Sequence, residues 1–372
     1  MRARLPVAFL LALLFGVHVV AALPRFAART GAKCQSCHIN PSGGGMRQAF
    51  GVQYGREELP VPTWAGEYNL DEFTTKLSEM VSIGADVRTL YYYQQIPDTG
   101  AVATASNQNA FWQMQGDIYV NFRLARKVSV YVDKGLYGGF EIFGFLGVLP
   151  ENGFIKVGKF VPNYGLKLDD HRAYVRQYTG FSPEFGRPEL TGGEVAISPG
   201  PVTVTGGFYN SMNGGNAPPT GSQKAVLGRA EGLFKVGEEA AVGVGGNVFT
   251  AKNSSDVRTT LLGGFGLFSY QDFTLMGEAD LIKTQASDET TKGLVTFLEA
   301  GYVVTPGVDL KVGYDFYDSD TELKSGSVSR YSFGLEFFPI AGVEVRPVYR
   351  IVKDDPEDIK NDEFQFLVHF YF

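Results

Sequence analysis

The chain has 372 residues and a formal charge of −7, with two cysteines against 46 glycines, 29 phenylalanines and 19 tyrosines. The acidic balance excludes the electrostatic footprint of a nucleic-acid binder, and two nearby thiols leave nothing for a disulfide framework elsewhere. Abundant glycine and aromatics suit a strand-rich protein with aromatic girdles.

In chain order, Arg2 and Arg4 precede an apolar stretch over residues 5–20, and Ala21 and Ala22 follow it. This predicts a secretory signal peptide, residues 1–22, removed after Ala22. The competing membrane anchor is disfavoured because Pro6, Gly16 and His18 interrupt an already short stretch. No later segment is apolar for about 18 residues, so no transmembrane helix is expected. Hydropathy averaging does not exclude barrel strands, which alternate in polarity.

Residues 23–62 form a short segment that ends in Pro60-Val61-Pro62 and holds Cys34-Gln35-Ser36-Cys37-His38. Two thiols at this spacing add to the two vinyl groups of one haem, and the next imidazole binds its iron. A zinc site would lack a fourth ligand, and a disulfide would leave His38 without a role. About forty residues cannot bury a haem unaided, so the expected second wall is the rest of the chain.

Residues 63–372 are expected to form an antiparallel membrane β-barrel. Val81, Ile83, Ala85, Val87, Thr89, Tyr91 and Tyr93 alternate with Ser82, Asp86 and Arg88. Trp112, Met114, Ile118, Val120, Phe122 and Leu124 alternate with Gln113, Gln115, Asp117, Asn121 and Arg123. Val308, Leu310, Val312, Tyr314 and Phe316 alternate with Asp309, Lys311 and Asp315. A period of two with charge on the second face predicts an apolar exterior and a polar lumen. About sixteen strands follow, near 78–94, 108–124, 126–136, 139–149, 152–161, 190–198, 201–211, 224–235, 238–250, 257–269, 271–283, 291–304, 307–317, 328–339, 342–353 and 361–372. Tight connections such as 304–307 alternate with longer polar ones at 211–224, 251–256, 284–290, 318–327 and 354–360. Barrels of this class keep tight turns on the periplasmic side, which puts the start of the haem segment there. The last strand ends on Phe372, like the signature that outer-membrane assembly machinery reads.

Residues 162–189 break the pattern. They hold tyrosines, arginines and Asp169-Asp170-His171, a composition that does not suit disorder. A long loop of this kind predicts a plug folded into the lumen; the alternative is a loop lying over the rim.

His38 is the expected proximal ligand. The distal position has three candidates: His171, with Asp169 or Asp170 orienting its other nitrogen; His369; and Met46, which would raise the potential relative to a histidine. Arg47, Gln48 and Arg56 are candidates for pairing with haem propionates, and glycines in 40–45 would let the backbone approach a flat macrocycle. No residue set specifies hydrolysis.

From Phe26 through Thr30, Gly31, Cys34, Cys37 and His38, followed by a barrel, the chain resembles the fused monohaem cytochrome–porin family, whose members include outer-membrane iron-oxidising cytochromes. The motif likeness covers about residues 26–60. The resemblance implies one covalent haem c on Cys34, Cys37 and His38. It also implies electron exchange between an extracellular donor or acceptor, such as Fe(II), and periplasmic c-type cytochromes. Two other expectations compete: a solute-conducting porin whose haem is structural or sensory, and a docking barrel for multihaem cytochromes.

Overall fold

The computed structural model describes residues 25–65, 74–95, 107–136, 138–182, 189–211, 222–287 and 289–372. The signal peptide, and Pro183 and Pro188 of the long loop, lie outside the described residues.

Sixteen antiparallel strands close into one barrel, each hydrogen-bonded to its sequence neighbours, with the first strand joined to the last. They are β1 (Val81–Gln94), β2 (Gln108–Ala125), β3 (Val128–Gly135), β4 (Phe140–Leu146), β5 (Phe154–Phe160), β6 (Leu190–Ile197), β7 (Val202–Asn210), β8 (Lys224–Val236), β9 (Ala240–Lys252), β10 (Arg258–Tyr270), β11 (Phe273–Ala286), β12 (Glu289–Thr305), β13 (Val308–Asp318), β14 (Ser327–Phe337), β15 (Val343–Asp354) and β16 (Glu363–Tyr371). All sixteen expected strands are present. Closure registers Val87 against Phe370 and Arg88 against His369. Closing the sheet leaves no unpaired strand edge, so each backbone N–H and C=O in the ring can find a partner without water.

The alternation holds along most strands. On β16, Phe366 and Phe370 point outward and Leu367, His369 and Tyr371 are buried. The exposed band includes Val312, Leu262, Phe208 and Phe333, while Asp280, Glu336, Lys156 and Arg330 are buried on the inside. Several of these lumen charges are paired, which offsets the cost of burial: Lys156 Nζ lies 2.9 Å from Glu194, and Arg330 Nη2 lies 2.9 Å from Asp315.

Two expectations need correction. On β2 the register against β1 slips between Arg88 and Thr89, so Arg88 faces Gln115 and Leu90 faces Trp112. This β-bulge reverses the parity of the strand beyond it. Trp112 and Met114, expected outside, line the lumen, and Phe111 turns outward against Tyr91 instead. Strands β11 and β12 also extend further than expected, from Ala286 to Glu289, so 284–290 is a tight connection rather than a long loop.

Four short helices precede the barrel: α1 (Arg25–Thr30), α2 (Cys34–Cys37), α3 (Ala49–Glu57) and α4 (Pro62–Ala65). No helix among the described residues is long and apolar enough to cross a membrane. This segment lies inside the barrel, at the end bearing the tight turns. Arg29 Nη1 donates to Asp309 at 2.9 Å, Arg25 pairs with Glu336, and Lys156 Nζ donates to Ser42 Oγ at 3.1 Å. Val61 N donates to the Phe338 carbonyl, and Trp64 packs edge-on against Phe337. The small segment thus takes its core from the barrel wall.

The connection between β5 and β6 folds inward as a plug and carries α5 (Tyr174–Thr179). Leu166, Leu168, Tyr174 and Val175 join one buried apolar cluster with Leu233, Phe265, Met276 and Phe297 of the wall. Leu166 N donates to Glu278, Gly165 N to Asn247 and Tyr174 N to Asp315.

Candidate functional site

Cys34 and Cys37 bound the single turn of α2, and His38 follows as its extended C-terminal residue. The chain then loops through 39–46 and returns beside itself. His38 and Arg47 form an antiparallel bridge, with Ile39 N donating to the Met46 carbonyl and Gln48 N to that of Cys37. Gln48 does not take the propionate-pairing role considered for it. Its Nε2 bonds the carbonyls of Gln35 and His38 at 2.9 and 2.8 Å, clamping the motif's backbone. Helix α3 packs back on α2 so closely that a Cβ on Gly51 would lie 2.3 Å from the Cys37 carbonyl oxygen.

The His38 ring is held in one tautomer. Its Nδ1 lies 3.3 Å from the Gly45 carbonyl oxygen, which only accepts, so Nδ1 carries the proton and Nε2 keeps its lone pair. Burial, with the Arg47 guanidinium adding to it, pushes the imidazole down to about 4. It is therefore neutral near pH 7, as a metal ligand must be. Both cysteines are free thiols, and burial raises that of Cys37.

Cys34, Cys37 and His38 line one cavity of about 520 Å³, within the range of cofactor sites. Its walls reach both ends of the barrel: Leu59 and Phe338 at the tight-turn end, Gly138, Gly139 and Glu189 at the other. The donor set and this space fit a haem attached through both sulfurs with His38 Nε2 on the iron.

The sequence-derived candidates divide into three groups. Arg47 lines the cavity beside His38, 3.5 Å from Asp86 and over the Tyr371 ring. Arg56 does not line it, because it sits on the last turn of α3 and pairs with Glu57 at 2.5 Å. Its placement as a propionate partner is therefore corrected. Met46 is fully buried in an aromatic cluster with Tyr119 and Tyr131, turned into the wall rather than the cavity.

His171 and His369 both line the cavity, His369 with both ring nitrogens engaged and His171 with its Nε2 engaged. His369 Nδ1 lies 2.9 Å from Glu344 and Nε2 3.2 Å from Asp86. A carboxylate oxygen stands within hydrogen-bond distance of each ring nitrogen, so neither edge of the ring faces open space. His171 Nε2 accepts from Arg88 Nη1 at 3.2 Å; burial, then the Arg88 charge, holds this imidazole well below its ordinary range. Asp169 and Asp170 are engaged elsewhere: Asp169 is 2.9 Å from Arg346, and Asp170 is 2.5 Å from Arg350. They lock the plug to β15 rather than serving only to orient His171.

Asp169, Glu336 and Glu344 lie close enough together to suggest a cation site. Arg346 approaches all three and Arg25 pairs with Glu336, so the cluster is already neutralised. Sequence reasoning missed Arg88, which the barrel register alone brings to His171, and Lys167. Lys167 lines the cavity, and its amine donates to the Pro162 carbonyl at 3.1 Å. Burial, with Arg176, Arg229 and Lys156 nearby, pushes it down to about 7.

No protein-family model and no curated protein sequence matches this chain. Solved structures do resemble it in fold. The outer membrane protein OmpT of Vibrio cholerae superposes with a TM-score of 0.59 at 14% identity, over 79% of this chain and 100% of that one. An anion-selective porin from Comamonas acidovorans gives 0.57 at 13%, over 78% and 99%. The outer membrane channel DcaP of Acinetobacter baumannii gives 0.55 at 11%, over 81% and 99%. At such identities the likeness lies in the fold: a closed sixteen-strand barrel of the porin type.

Proposed function

We propose that this protein is an outer-membrane cytochrome–porin that carries electrons between an extracellular donor or acceptor and periplasmic c-type cytochromes, through one covalent haem c. Attached to Cys34 and Cys37 and ligated by His38, the haem would supply one-electron iron chemistry inside the barrel. Fe(II) is a donor of the right class. The apolar band on the barrel exterior supports insertion in outer-membrane lipid. Tight turns facing the periplasm would put the start of the haem segment on that side.

The observation that carries this reading is the position of the Cys34-Cys37-His38 motif, inside the barrel, in a cavity whose walls include residues from both ends. A group held there is within reach of partners on either side. It is also shielded by the plug, which fits electron passage better than solute flow. Arg47, beside His38, would pair with a propionate, and Arg88 adds a second cation to the same cavity.

The test is reconstitution. Holoprotein in liposomes with an enclosed redox dye should pass electrons from external Fe(II) or another reductant, and the Cys34→Ala/Cys37→Ala barrel should not. Equal dye reduction by both, or none by either, removes the conduit reading. Large solute conductance that persists in the cysteine variant would favour a porin with a structural haem.

A further inference from the structure

We propose that the ε-amine of Lys167 is the second axial ligand of the iron, an inference that rests on the haem reading above. Elimination narrows the choice among the candidates considered. Met46 is packed into the wall, His369 meets a carboxylate at each nitrogen, and His171 Nε2 is taken by Arg88.

Lys167 has the opposite character. It is a buried lysine in the plug, presented to the cavity that Cys34, Cys37 and His38 line. Burying an ammonium is costly unless it is paired or put to use. Its hydrogen bond goes to a backbone carbonyl, Pro162, and burial, with Arg176, Arg229 and Lys156 outweighing the carboxylate of Glu194, disfavours the charged amine. The approach is close. The point where a side chain would start on Gly43 lies 3.3 Å from Cys34 Sγ and 3.8 Å from Lys167 Cγ. Glycine at 43 keeps that space clear between the attachment sulfur and the lysine stem.

The backbone around Lys167 is held on both sides. Leu166 and Leu168 are buried in the apolar cluster, Gly165 N and Leu166 N donate to Asn247 and Glu278, and Asp169 and Asp170 pair with Arg346 and Arg350. A flexible stem on a fixed backbone suits a ligand that must find its metal after the haem is attached. To bind, the amine releases its proton to water and donates its lone pair to the iron; no electron is exchanged.

The test uses full-length holoprotein, with covalent haem counted per polypeptide by mass and haemochrome absorbance. Ferric wild type should be low-spin by electron paramagnetic resonance. Its near-infrared magnetic circular dichroism band should fall at the position of histidine–amine rather than bis-histidine or histidine–methionine ligation. Lys167→Ala should lose the low-spin signal and become high-spin with haem content unchanged, and added imidazole should restore low spin. A high-spin wild type, a bis-histidine or histidine–methionine band, or an unaltered spectrum in Lys167→Ala overturns the proposal. So does loss of the low-spin signal in His171→Ala but not in Lys167→Ala. The wild-type band decides the matter even if the variant fails to assemble. Polypeptide without covalent haem refutes the haem reading itself, a separate outcome.

Discussion

His38 Nδ1 and the Gly45 carbonyl, 3.3 Å apart, join the two ends of the glycine loop beside the Cys34–Cys37 turn. The contact fixes the imidazole edge on the cavity, and it needs Gly45 at φ +63, where a Cβ would also fall 2.3 Å from the Tyr131 hydroxyl. A left-handed backbone costs an ordinary L-residue about 1–2 kcal/mol, and the collision adds to that. Gly45→Ala is therefore expected to assemble as a barrel but to carry several-fold less haem per polypeptide. Haem absorbance against protein mass measures this; wild-type loading would show that the loop conformation is dispensable.

Gly51→Ala probes the contact between α2 and α3. The added methyl meets Cys37 backbone atoms at 2.3 to 3.1 Å, which do not yield as a flexible side chain would. Overpacking of this kind costs about 1–3 kcal/mol. Haem loading should fall while the heat-modifiable gel shift of the folded barrel is retained. Unchanged loading would mean that α3 shifts freely.

Arg350→Ala removes the ion-pair partner of Asp170, and Arg346→Ala the nearer of the two arginines paired with Asp169. A hydrogen bond to a charged group is worth roughly 1.5–3 kcal/mol, so each variant shifts the plug toward release about tenfold or more. Single-channel recordings should show opening events in the variants that are rare in wild type. Identical traces would place the plug's hold in its apolar cluster alone.

Acid should act on the same lock. Burial alone would raise the carboxyls, but Arg350, Arg330 and Arg346 outweigh it at Asp170, and Arg346, Lys311 and Arg25 at Asp169, holding both below their ordinary range. In a released loop they would titrate near about 3.9. Because the docked values are depressed, their contribution to docking is complete above that pH and is lost progressively below it. Conductance should stay low and flat down to about pH 4 and rise on further acidification. A profile that stays flat to pH 2 would count against an electrostatic lock.

Much of this architecture is local in origin. Alternation such as that from Phe364 to Phe372 is a property of consecutive residues, and closed antiparallel pairing follows from it. The sixteen strands and the inward faces of β1 and β13 could therefore be recognised from the chain alone, as could the thiol–thiol–imidazole grouping of Cys34, Cys37 and His38. The bulge that turned Trp112 and Met114 inward could not, because a one-residue slip between neighbouring strands leaves no mark on either strand's own pattern. The site's surroundings were hidden for the same reason. Arg88 meets His171 and His369 meets Asp86 across separations of 83 and 283 residues, and Lys167 reaches the cavity lined by Cys34, Cys37 and His38 only because the plug folds inward. Local sequence determined which elements form and where the two thiols and the imidazole stand together. Tertiary closure decided which of the distant polar groups are occupied by one another and which are left facing the cavity.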